Sequence, residues 1–249
     1  MTGLLAGRVA LVTGASGLLG HGIALRFAHA GAAVVAHGNR GDVRALVAEI
    51  TSAGGRATGM RADLAVEDEC HRLVREAAEW GGRLDALVNN AGVQPVRDLA
   101  GMTAAEWRAV VDLNVTAAFC CTQAAADVLP AGGSVTHVAS IEGTHPAAGH
   151  AHYCASKAAV IMHARSAALE YGPRGIRVNA VSPGLVDRPG LAREWPDGVE
   201  RWTRAAPLGR LGRPDDVGDA CVFLASEMAS WITGNNLVVD GGVTANPTW

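Results

Sequence analysis

The chain has 249 residues, 49% of them hydrophobic and 18% charged, so it can bury a sizeable core as one large domain or two small ones. A formal net charge of −3 and an isoelectric point near 6.3 exclude the broad basic surface of a nucleic-acid binder, and a small-molecule partner is expected instead. The five cysteines show neither CxxC pairs nor disulfide spacing, which predicts a reducing, cytoplasmic compartment. No apolar stretch predicts a membrane span or a secretion signal.

Short apolar runs alternate with longer, alanine-rich stretches of helical pattern almost to the end of the chain. The predicted strands are Val9 to Val12, Ala33 to Ala36, Ala57 to Arg61, Ala86 to Val88, Ser134 to Val138, Arg177 to Val181 and Leu237 to Val239. The predicted helices cover roughly residues 20–30, 42–53, 67–80, 103–128, 153–171 and 214–225. Strand and helix in alternation predict an α/β fold, with a parallel sheet covered by helices on both faces.

No linker, low-complexity run or internal repeat divides the chain, so residues 1–249 are expected to form a single domain. The stretch from Pro183 to Pro207 breaks the alternation with several Pro, Trp and Arg residues and no clean period. A structureless insert of that length in a compact domain is usually a lid or a binding loop, so residues 184–207 are expected to contact substrate.

A glycine-rich turn follows the first predicted strand and opens directly into a helical pattern. Glycines let the backbone approach a pyrophosphate, and the N-terminus of the helix offers free N–H groups to it. A tight turn needs glycine for other reasons too, but the position between the first strand and the first helix favours a dinucleotide site. The residues expected to bind the cofactor in this turn are Gly14, Ser16, Gly17, Leu19 and Gly20.

The second strand ends in His37-Gly38-Asn39-Arg40, which bears on the choice of cofactor. An acidic residue there would accept the ribose hydroxyls and repel a 2′-phosphate, and this chain has none. Asn39 and Arg40 are therefore expected to bind the cofactor, with NADP(H) preferred. The alternative is that Arg40 is only a solvated loop charge, which leaves NAD(H) possible.

Polar and small residues also follow other strands, at the sheet edge where open α/β sheets bind ligands. Asp63 could equally be a helix N-cap, and an asparagine-rich turn would explain the residues after the fourth strand. The further residues expected to bind cofactor are Asp63, Leu64, Asn90, Ala91, Gly92, Pro183, Gly184 and Val186.

Tyr153 and Lys157 are four residues apart, so on a helix the phenol and the ammonium project from one face. Lys157 is the chain's single lysine, and Tyr153 is one of two tyrosines. A cation within about 4 to 6 Å favours the phenolate and is expected to lower the tyrosine's pKa by about 1 to 3 units. The pair is a candidate general acid/base that also binds cofactor, although an isolated YxxxK pattern more often lies on an ordinary surface helix.

Two further polar residues are candidates for the same cleft. Ser140 ends the fifth predicted strand thirteen residues before Tyr153, a loop length that could return the helix to that strand end. Asn114 lies among apolar neighbours in the stretch 103–128, where asparagine is a poor helix former and, if buried, needs partners. Each alone has an ordinary explanation as a turn or helix-bending residue. Together with Tyr153 and Lys157 they make four catalytic candidates.

Histidines cluster in the same part of the chain, at positions 137, 145, 150, 152 and 163. His150 and His152 alone are two ligands without a third carboxylate or cysteine nearby. No metal site is predicted, and these histidines are expected to line or rim the pocket.

In order and spacing the motifs resemble the short-chain dehydrogenase/reductase family, in the compact form that has about the length of this chain. The resemblance covers essentially the whole sequence and implies a single-domain, doubly wound Rossmann fold with a seven-stranded parallel sheet. The motifs that carry it are Thr13-Gly14 to Gly20, Asp63, Asn89-Asn90-Ala91-Gly92, Asn114, Ser140, Tyr153-x-x-x-Lys157, Pro183-Gly184 and Val239-Asp240-Gly241-Gly242.

The same resemblance implies a role for each catalytic candidate. Tyr153 would donate or accept the proton, and Ser140 would hold the substrate oxygen. Lys157 would contact the nicotinamide ribose and lower the pKa of the tyrosine, while Asn114 would help hold a water that passes protons to solvent. Packing of the two long helices between subunits would give a homotetramer.

Two positions depart from the family pattern. The compact form usually has glycine where this chain has Leu18, and the spacing of Gly14, Gly17 and Gly20 is that of the longer, epimerase-like branch. Arg188 stands where the family often has a threonine that contacts the nicotinamide amide. Arg188 either faces an anionic substrate or pairs with Asp187.

The expected activity is hydride transfer between NADP(H) and a carbonyl or secondary alcohol, with Tyr153 as general acid/base. One alternative is an NAD(H)-linked alcohol dehydrogenase of the same fold. Another, from a different class, is a regulator that senses NADP(H) without chemistry. Trp195 and Trp202 could close over a hydrophobic or ring-shaped substrate, or lie at a subunit contact.

Overall fold

The computed structural model describes residues 3–245, and within them seven parallel strands form one sheet. In chain order the strands are β1 (Val9–Val12), β2 (Ala33–Gly38), β3 (Ala57–Arg61), β4 (Ala86–Asn89), β5 (Ser134–Val138), β6 (Arg177–Pro183) and β7 (Asn236–Val239). Their order across the sheet is β3-β2-β1-β4-β5-β6-β7. The predicted seven-stranded parallel sheet is confirmed.

The helices cover both faces of this sheet. They are α1 (Leu18–His29), α2 (Arg44–Ser52), α3 (Glu67–Gly81), α4 (Ala104–Val111), α5 (Ala117–Val128), α6 (Ala151–Tyr171), α7 (Leu191–Glu194), α8 (Pro196–Ala205) and α9 (Pro214–Ala225). One apolar core lies between the sheet and α3, α5 and α6, and a second lies between the sheet and α1, α2 and α9. The doubly wound α/β architecture is therefore as predicted.

The strand order places the cleft. From β1 the chain builds outward to β2 and β3, then crosses to β4 and builds the other way. At such a reversal the crossover connections leave the sheet in opposite directions and open a crevice at the strands' carboxyl ends. In this sheet the crevice lies above β1 and β4, which pair directly through Val12 and Val88.

The stretch predicted as one helix over 103–128 is interrupted. Asp112–Thr116 forms a π turn between α4 and α5, in which the Ala117 N–H bonds to the Asp112 carbonyl. The whole run Ala104–Val128 is long and apolar enough to cross a membrane, with a mean hydropathy of 1.3, but 56% of that window is buried in the protein. It packs against α3 and α6, so it is a core helix.

The segment predicted to be structureless is largely helical. Residues 184–207 contain α7 and α8, and Pro196 opens α8, where its missing N–H costs nothing. The Trp195 ring lies so close over Gly198 that a β-carbon there would sit 1.9 Å from it. The sequence prediction missed α8 because its exposed face is charged and only one of its residues, Gly198, is buried.

Candidate active site

A cleft of about 1000 Å³ runs along the carboxyl ends of the central strands. Every residue predicted to bind cofactor lines it, as do three of the four catalytic candidates. Those lining residues are Gly14, Ser16, Gly17, Leu19, Gly20, Asn39, Arg40, Asp63, Leu64, Asn90, Ala91, Gly92, Ser140, Tyr153, Lys157, Pro183, Gly184 and Val186. Asn114 alone among the predicted site residues is not in the lining.

The glycine turn leaves space that a side chain would fill. Gly14 has a φ of +66°, and a β-carbon on Gly20 would lie 2.3 Å from the Gly14 carbonyl oxygen. Gly17 is the N-cap of α1 and offers no side-chain cap, and the first turn of α1 has no acidic residue. The N–H groups of that turn are therefore free for an anion, which fits a dinucleotide pyrophosphate. Leu18 opens the helix, 45% exposed, beside this cradle.

Thr13 and Asn90 hold the turn against β4. The Thr13 hydroxyl donates to the Val88 carbonyl and accepts from the N–H groups of Asn90 and Ala91, at 3.0 Å each. The Asn90 side chain donates to the carbonyl oxygens of Thr13 and Gly14, at 2.9 and 3.3 Å. The β1 and β4 ends of the cleft are thus one hydrogen-bonded unit.

His37 is a structural residue of the cleft that the sequence analysis did not single out. The Gly14 N–H donates to His37 Nδ1 at 3.1 Å, so Nε2 carries the proton and donates to the Ala62 carbonyl at 3.0 Å. The Ala15 N–H donates to the His37 carbonyl. Burial lowers the pKa of His37, which keeps the ring neutral and its two roles fixed. The available signal was a polar residue at the carboxyl end of an apolar strand.

Arg40 lies exposed at the β2 end of the cleft. Gly38, the last residue of β2, has no room for a side chain, because a β-carbon would lie 2.5 Å from the Gly41 carbonyl oxygen. The nearby Asp42 is bound to Arg44, 2.7 Å away, and does not line the cleft. Within residues 3–245 Arg40 forms no ion pair, which is the arrangement expected where a 2′-phosphate binds.

Tyr153 and Ser140 meet across the cleft, although they lie on different elements. Ser140 caps the short 3-10 turn Ile141–Gly143, and Tyr153 lies in the first turn of α6. Both side chains line the cleft. Burial raises the pKa of Tyr153 to about 12, and the Ser140 hydroxyl opposes this by favouring the phenolate. The expected lowering of the tyrosine's pKa is therefore wrong for this structure.

Lys157 lies one turn further along α6 and is buried in the cleft wall. Its ammonium donates to the Val138 carbonyl at 2.8 Å and lies 5.4 Å from the centre of the Tyr153 ring. Burial lowers the pKa of Lys157 to about 8, because the ammonium gives up water for little else than one carbonyl. The predicted common face of the two side chains is observed, and burial is the largest cause of the pKa shift of each.

Asn114 is buried in the π turn and bridges to neighbouring backbone. Its Oδ1 accepts from the Val93 N–H at 2.8 Å, and its Nδ2 donates to the Val93 carbonyl and to Ser156 Oγ, both at 3.0 Å. All three partners belong to the protein, and Gly92 lies between Asn114 and Lys157. Its side chain therefore connects the loop after β4 to α6. A π turn of this kind often marks a functional site.

Glu142 is a second cleft residue that the sequence analysis missed. Its Oε1 accepts from Gln94 Nε2 at 3.1 Å, and its Oε2 lies 2.9 Å from His150 Nδ1 and 3.6 Å from Cys154 Sγ. Its backbone N–H donates to Ser140 Oγ at 3.1 Å. The signal available was its position two residues after a catalytic candidate.

The far wall of the cleft comes from the segment after β6. Arg188, Leu191 and Trp202 line the cleft there. Arg188 forms an ion pair with Glu194 and not with Asp187, and both partners are about half exposed. Trp195 instead packs over Gly198 outside the lining, so the two tryptophans predicted as a pair have separate surroundings.

The clustered histidines are dispersed by the fold. His150 pairs with Glu142, and buried His152 accepts a bond from the Tyr153 N–H. His137 and His163 contact each other at 3.1 Å between β5 and α6, and burial lowers the pKa of His137 to about 3. Within residues 3–245, no three His, Cys, Asp or Glu side chains are grouped so that they could hold a metal ion.

Comparison with known proteins identifies the family. Residues 14–244 match a family model described as enoyl-(acyl carrier protein) reductase. The chain is 39% identical over 245 residues to a 2,5-dichloro-2,5-cyclohexadiene-1,4-diol dehydrogenase from Sphingobium indicum, covering 97% of this chain and 98% of that one. It is 43% identical over 247 residues to a cis-4-hydroxycyclohexanecarboxylate dehydrogenase from Sinomonas cyclohexanicum, covering 96% and 97%.

A solved structure agrees with these relatives. A short-chain dehydrogenase from Burkholderia cenocepacia J2315, in complex with NADP, superposes with a TM-score of 0.89 at 36% identity, covering 96% of this chain and 99% of that one. Fold, strand order and full-length similarity all lead to one assignment. The chain belongs to the short-chain dehydrogenase/reductase family and is an NAD(P)-dependent oxidoreductase that acts on a small molecule.

Proposed function

We propose that the protein interconverts a cyclic secondary alcohol and its ketone with NADP(H), using Tyr153 as general acid/base. The observation that carries this proposal is that Tyr153, Ser140 and the buried Lys157 line the same part of a cleft whose other end is a glycine cradle. When bound, the nicotinamide supplies or accepts the hydride. The residues proposed to hold the cofactor are those that line the cradle, the β2 end and the strand ends.

The protein's own groups handle the proton and the substrate oxygen. At neutral pH the Tyr153 phenol is protonated, which is the form that must donate to a carbonyl oxygen as it becomes an alcohol. Ser140 can donate a second hydrogen bond to that oxygen, where negative charge develops. Lys157, still an ammonium below about pH 8, favours the phenolate left behind after the proton transfer. Asn114 keeps the loop after β4 in register with α6 and is proposed to help hold a water that replenishes the proton.

NADP(H) is the proposed cofactor because Arg40 lines the cleft at the end of β2, and the last residue of that strand is Gly38 and not an acidic residue. The Burkholderia cenocepacia relative is bound to NADP in its structure, which supports the same choice. A ring-shaped alcohol is proposed because both relatives compared above are named for cyclohexane-type alcohols, and because Leu191 and Trp202 give the far wall an apolar surface.

The homotetramer and the cytoplasmic location stay predictions. Large apolar side chains on the outer faces of α5 and α6 support an assembly, since Phe119, Met162 and Leu169 are 45%, 56% and 82% exposed.

The testing experiment is a panel of cyclic alcohols and ketones assayed with NADP(H) and NAD(H), run on the protein and on Tyr153→Phe. We expect turnover by the wild type and a loss of about 100-fold to 10,000-fold in kcat for the variant, because general acid–base catalysis contributes about that much. Cofactor affinity should be retained. Tyr171→Phe, which alters the chain's other tyrosine at the end of α6, is the matched control and should leave kcat unchanged. Comparable kcat in both variants would contradict the assignment of Tyr153.

A further inference from the structure

Three carboxylates line the cleft, those of Asp63, Asp112 and Glu142. Glu142 is the one that lies closest in sequence to Ser140 and Tyr153. It is set beside them by its own backbone, whose N–H donates to Ser140 Oγ. Burial is the main cause of the raised pKa of Tyr153, and the negative charge of Glu142 raises that pKa further. The proton transfer proposed for Tyr153 and Ser140 does not use a carboxylate, so the position of Glu142 in the cleft indicates another role.

The carboxylate is held from three sides. Gln94 from the loop after β4, His150 at the start of α6 and Cys154 in its first turn all contact it. The His150 ring also meets the Tyr153 ring edge-on, with centroids 6.2 Å apart. The side chain of Glu142 is 17% exposed and that of His150 is 18% exposed. Its position is therefore fixed before any substrate arrives.

The contacts leave Glu142 with acceptor capacity. A carboxylate offers about four lone-pair positions, and Gln94 is the one partner of Oε1 that the described contacts include. Because the residue lines the cleft, the remaining capacity is available to a ligand. A carboxylate accepts hydrogen bonds and repels anions, so its natural partner is a hydroxyl group or a cation. His150 and Cys154 already contact Oε2, so the capacity left at Oε1 suits one donated hydrogen bond, as from a hydroxyl.

We propose that Glu142, positioned by His150, accepts a hydrogen bond from a second hydroxyl on the substrate ring, so that the preferred substrates are cyclic diols or polyols. The proposal rests on the function proposed above and narrows its substrate class. The reacting carbinol lies at Tyr153 and Ser140, and the second hydroxyl lies on a neighbouring part of the same ring. Ring substrates that carry a carboxylate near the reacting carbon are disfavoured, because Glu142 repels them and Arg188 is engaged by Glu194.

The test compares cyclohexanol, cis- and trans-cyclohexane-1,2-diol, 2-methoxycyclohexanol and 2-aminocyclohexanol as substrates. For the wild type we expect kcat/KM to be about tenfold higher for at least one diol than for cyclohexanol, since a hydrogen bond to a charged acceptor contributes about that much. The methoxy compound keeps the oxygen and lacks the donor, so it should behave like cyclohexanol. A preference for the amine over both diols would overturn the proposal in favour of a cation site.

Glu142→Leu should abolish the diol preference, measured as the ratio of kcat/KM for the diol to kcat/KM for cyclohexanol, and Glu142→Gln, which keeps an acceptor oxygen, should restore part of that ratio. The loss of the diol preference should appear mainly as a higher KM for the diol. Glu76→Leu, which removes an exposed carboxylate paired with Arg72 on α3, is the matched control and should change nothing. Thermal unfolding of each variant separates a folding defect from a loss of recognition.

The possible failures are distinguishable. If Glu142→Leu lowers kcat/KM for cyclohexanol and the diols by the same factor, Glu142 only positions its loop and the inference is wrong, while the proposed function stands. If the wild type oxidises cyclohexanol as well as either diol, the inference is likewise wrong. If no cyclic alcohol or ketone is turned over, both proposals fall.

Discussion

The cofactor end of the cleft is held by backbone hydrogen bonds and glycines, whereas the substrate end is held by contacts between partly exposed side chains. Thr13, Gly14 and Asn90 form one network in which almost every bond has a backbone partner. Opposite them, the half-exposed pair of Arg188 and Glu194 joins α7 to the loop before it, and an exposed ion pair contributes at most about 1 kcal/mol.

The difference indicates how each end responds to change. A site made of backbone tolerates little, because the bound group must fit a surface that side chains cannot adjust. A site made of side chains on short helices can be repacked without disturbing the sheet. Substitutions in the glycine turn should therefore affect folding and affinity together, while those of side chains that line the substrate end should mainly affect selectivity.

Gly20→Ala should give the largest combined loss of stability and cofactor affinity. The new β-carbon would lie 2.3 Å from the Gly14 carbonyl oxygen, so the turn or α1 must shift. Overpacking of this sort costs about 1–3 kcal/mol, and we expect the free energy of unfolding to fall by that amount, with cofactor affinity lowered at least tenfold. Urea denaturation and a cofactor titration measure the two effects.

Gly17→Ala is the matched control for that prediction. A β-carbon at Gly17 would meet the Gly14 carbonyl oxygen at 3.5 Å, an ordinary contact. The control should retain most of its stability, so the difference in unfolding free energy between the two variants measures the close approach at Gly20. If both alanine variants behave alike, the close approach at Gly20 is not what the turn requires.

Lys157→Met should stabilise the fold at neutral pH while it abolishes activity. Burial lowers the pKa of Lys157 from 10.5 to about 8, so keeping the ammonium charged costs roughly 3 kcal/mol at 1.36 kcal/mol per unit. Loss of the bond to the Val138 carbonyl takes back about 1 kcal/mol. We expect a net gain of about 2 kcal/mol in the free energy of unfolding at pH 7.

The pH dependence of the stability difference between Lys157→Met and wild type is a second check. Between about pH 8 and 10.5 the unfolded chain binds a proton at Lys157 that the folded protein does not, so wild-type stability rises with pH in this window. The advantage of Lys157→Met should therefore shrink as pH rises through that range. Denaturation curves at both ends of the window measure it, and a variant less stable than wild type at pH 7 would show that the buried ammonium is better compensated than its one carbonyl partner indicates.

Arg40→Asp should change the cofactor preference with little effect on folding, because the residue is exposed. The carboxylate would repel a 2′-phosphate and accept the ribose hydroxyls, so we expect kcat/KM for NADP(H) to fall about tenfold relative to NAD(H). Arg75→Asp, an exposed site on α3, controls for the change in net charge. An unaltered ratio in Arg40→Asp would mean that Arg40 does not bind the phosphate.

Trp202→Leu should give the smallest effect. Trp202 lines the cleft, so the loss of an aromatic contact should raise KM for a ring substrate about threefold and leave kcat unchanged. Trp195→Leu is the informative comparison, since that ring covers Gly198 outside the lining and should lower the melting temperature instead. A substrate-independent loss in both variants would mean that α8 acts only as structure.

Most of the fold could be predicted from sequence because parallel strands and their covering helices are set by local apolar pattern. The stretch 214–225 was predicted as a helix and is observed as Pro214–Ala225. The π turn at Asp112–Thr116 could not be found this way, because one extra residue in a helical turn leaves the apolar pattern nearly unchanged. The helix α8 was missed because it presents little apolar surface to the core.

The site was predictable as a set of residues but not in its electrostatics. The spacing of Tyr153 and Lys157 was enough to place them on one face of α6. The direction of the tyrosine's pKa shift depends on burial by distant segments, and the spacing gave the wrong sign. Glu142 was missed for the same reason, since its partners come from separate parts of the chain.

The single lysine gives the molecule an unusual chemical simplicity. Its ε-amino group is the only one in the chain, and the residue is 5% exposed in the wall of the cleft. Lysine-directed reagents that are too large to enter the cleft should therefore not react with this residue. A small electrophile that enters the cleft would instead mark one internal position, and protection of that position by a bound nucleotide would report occupancy directly.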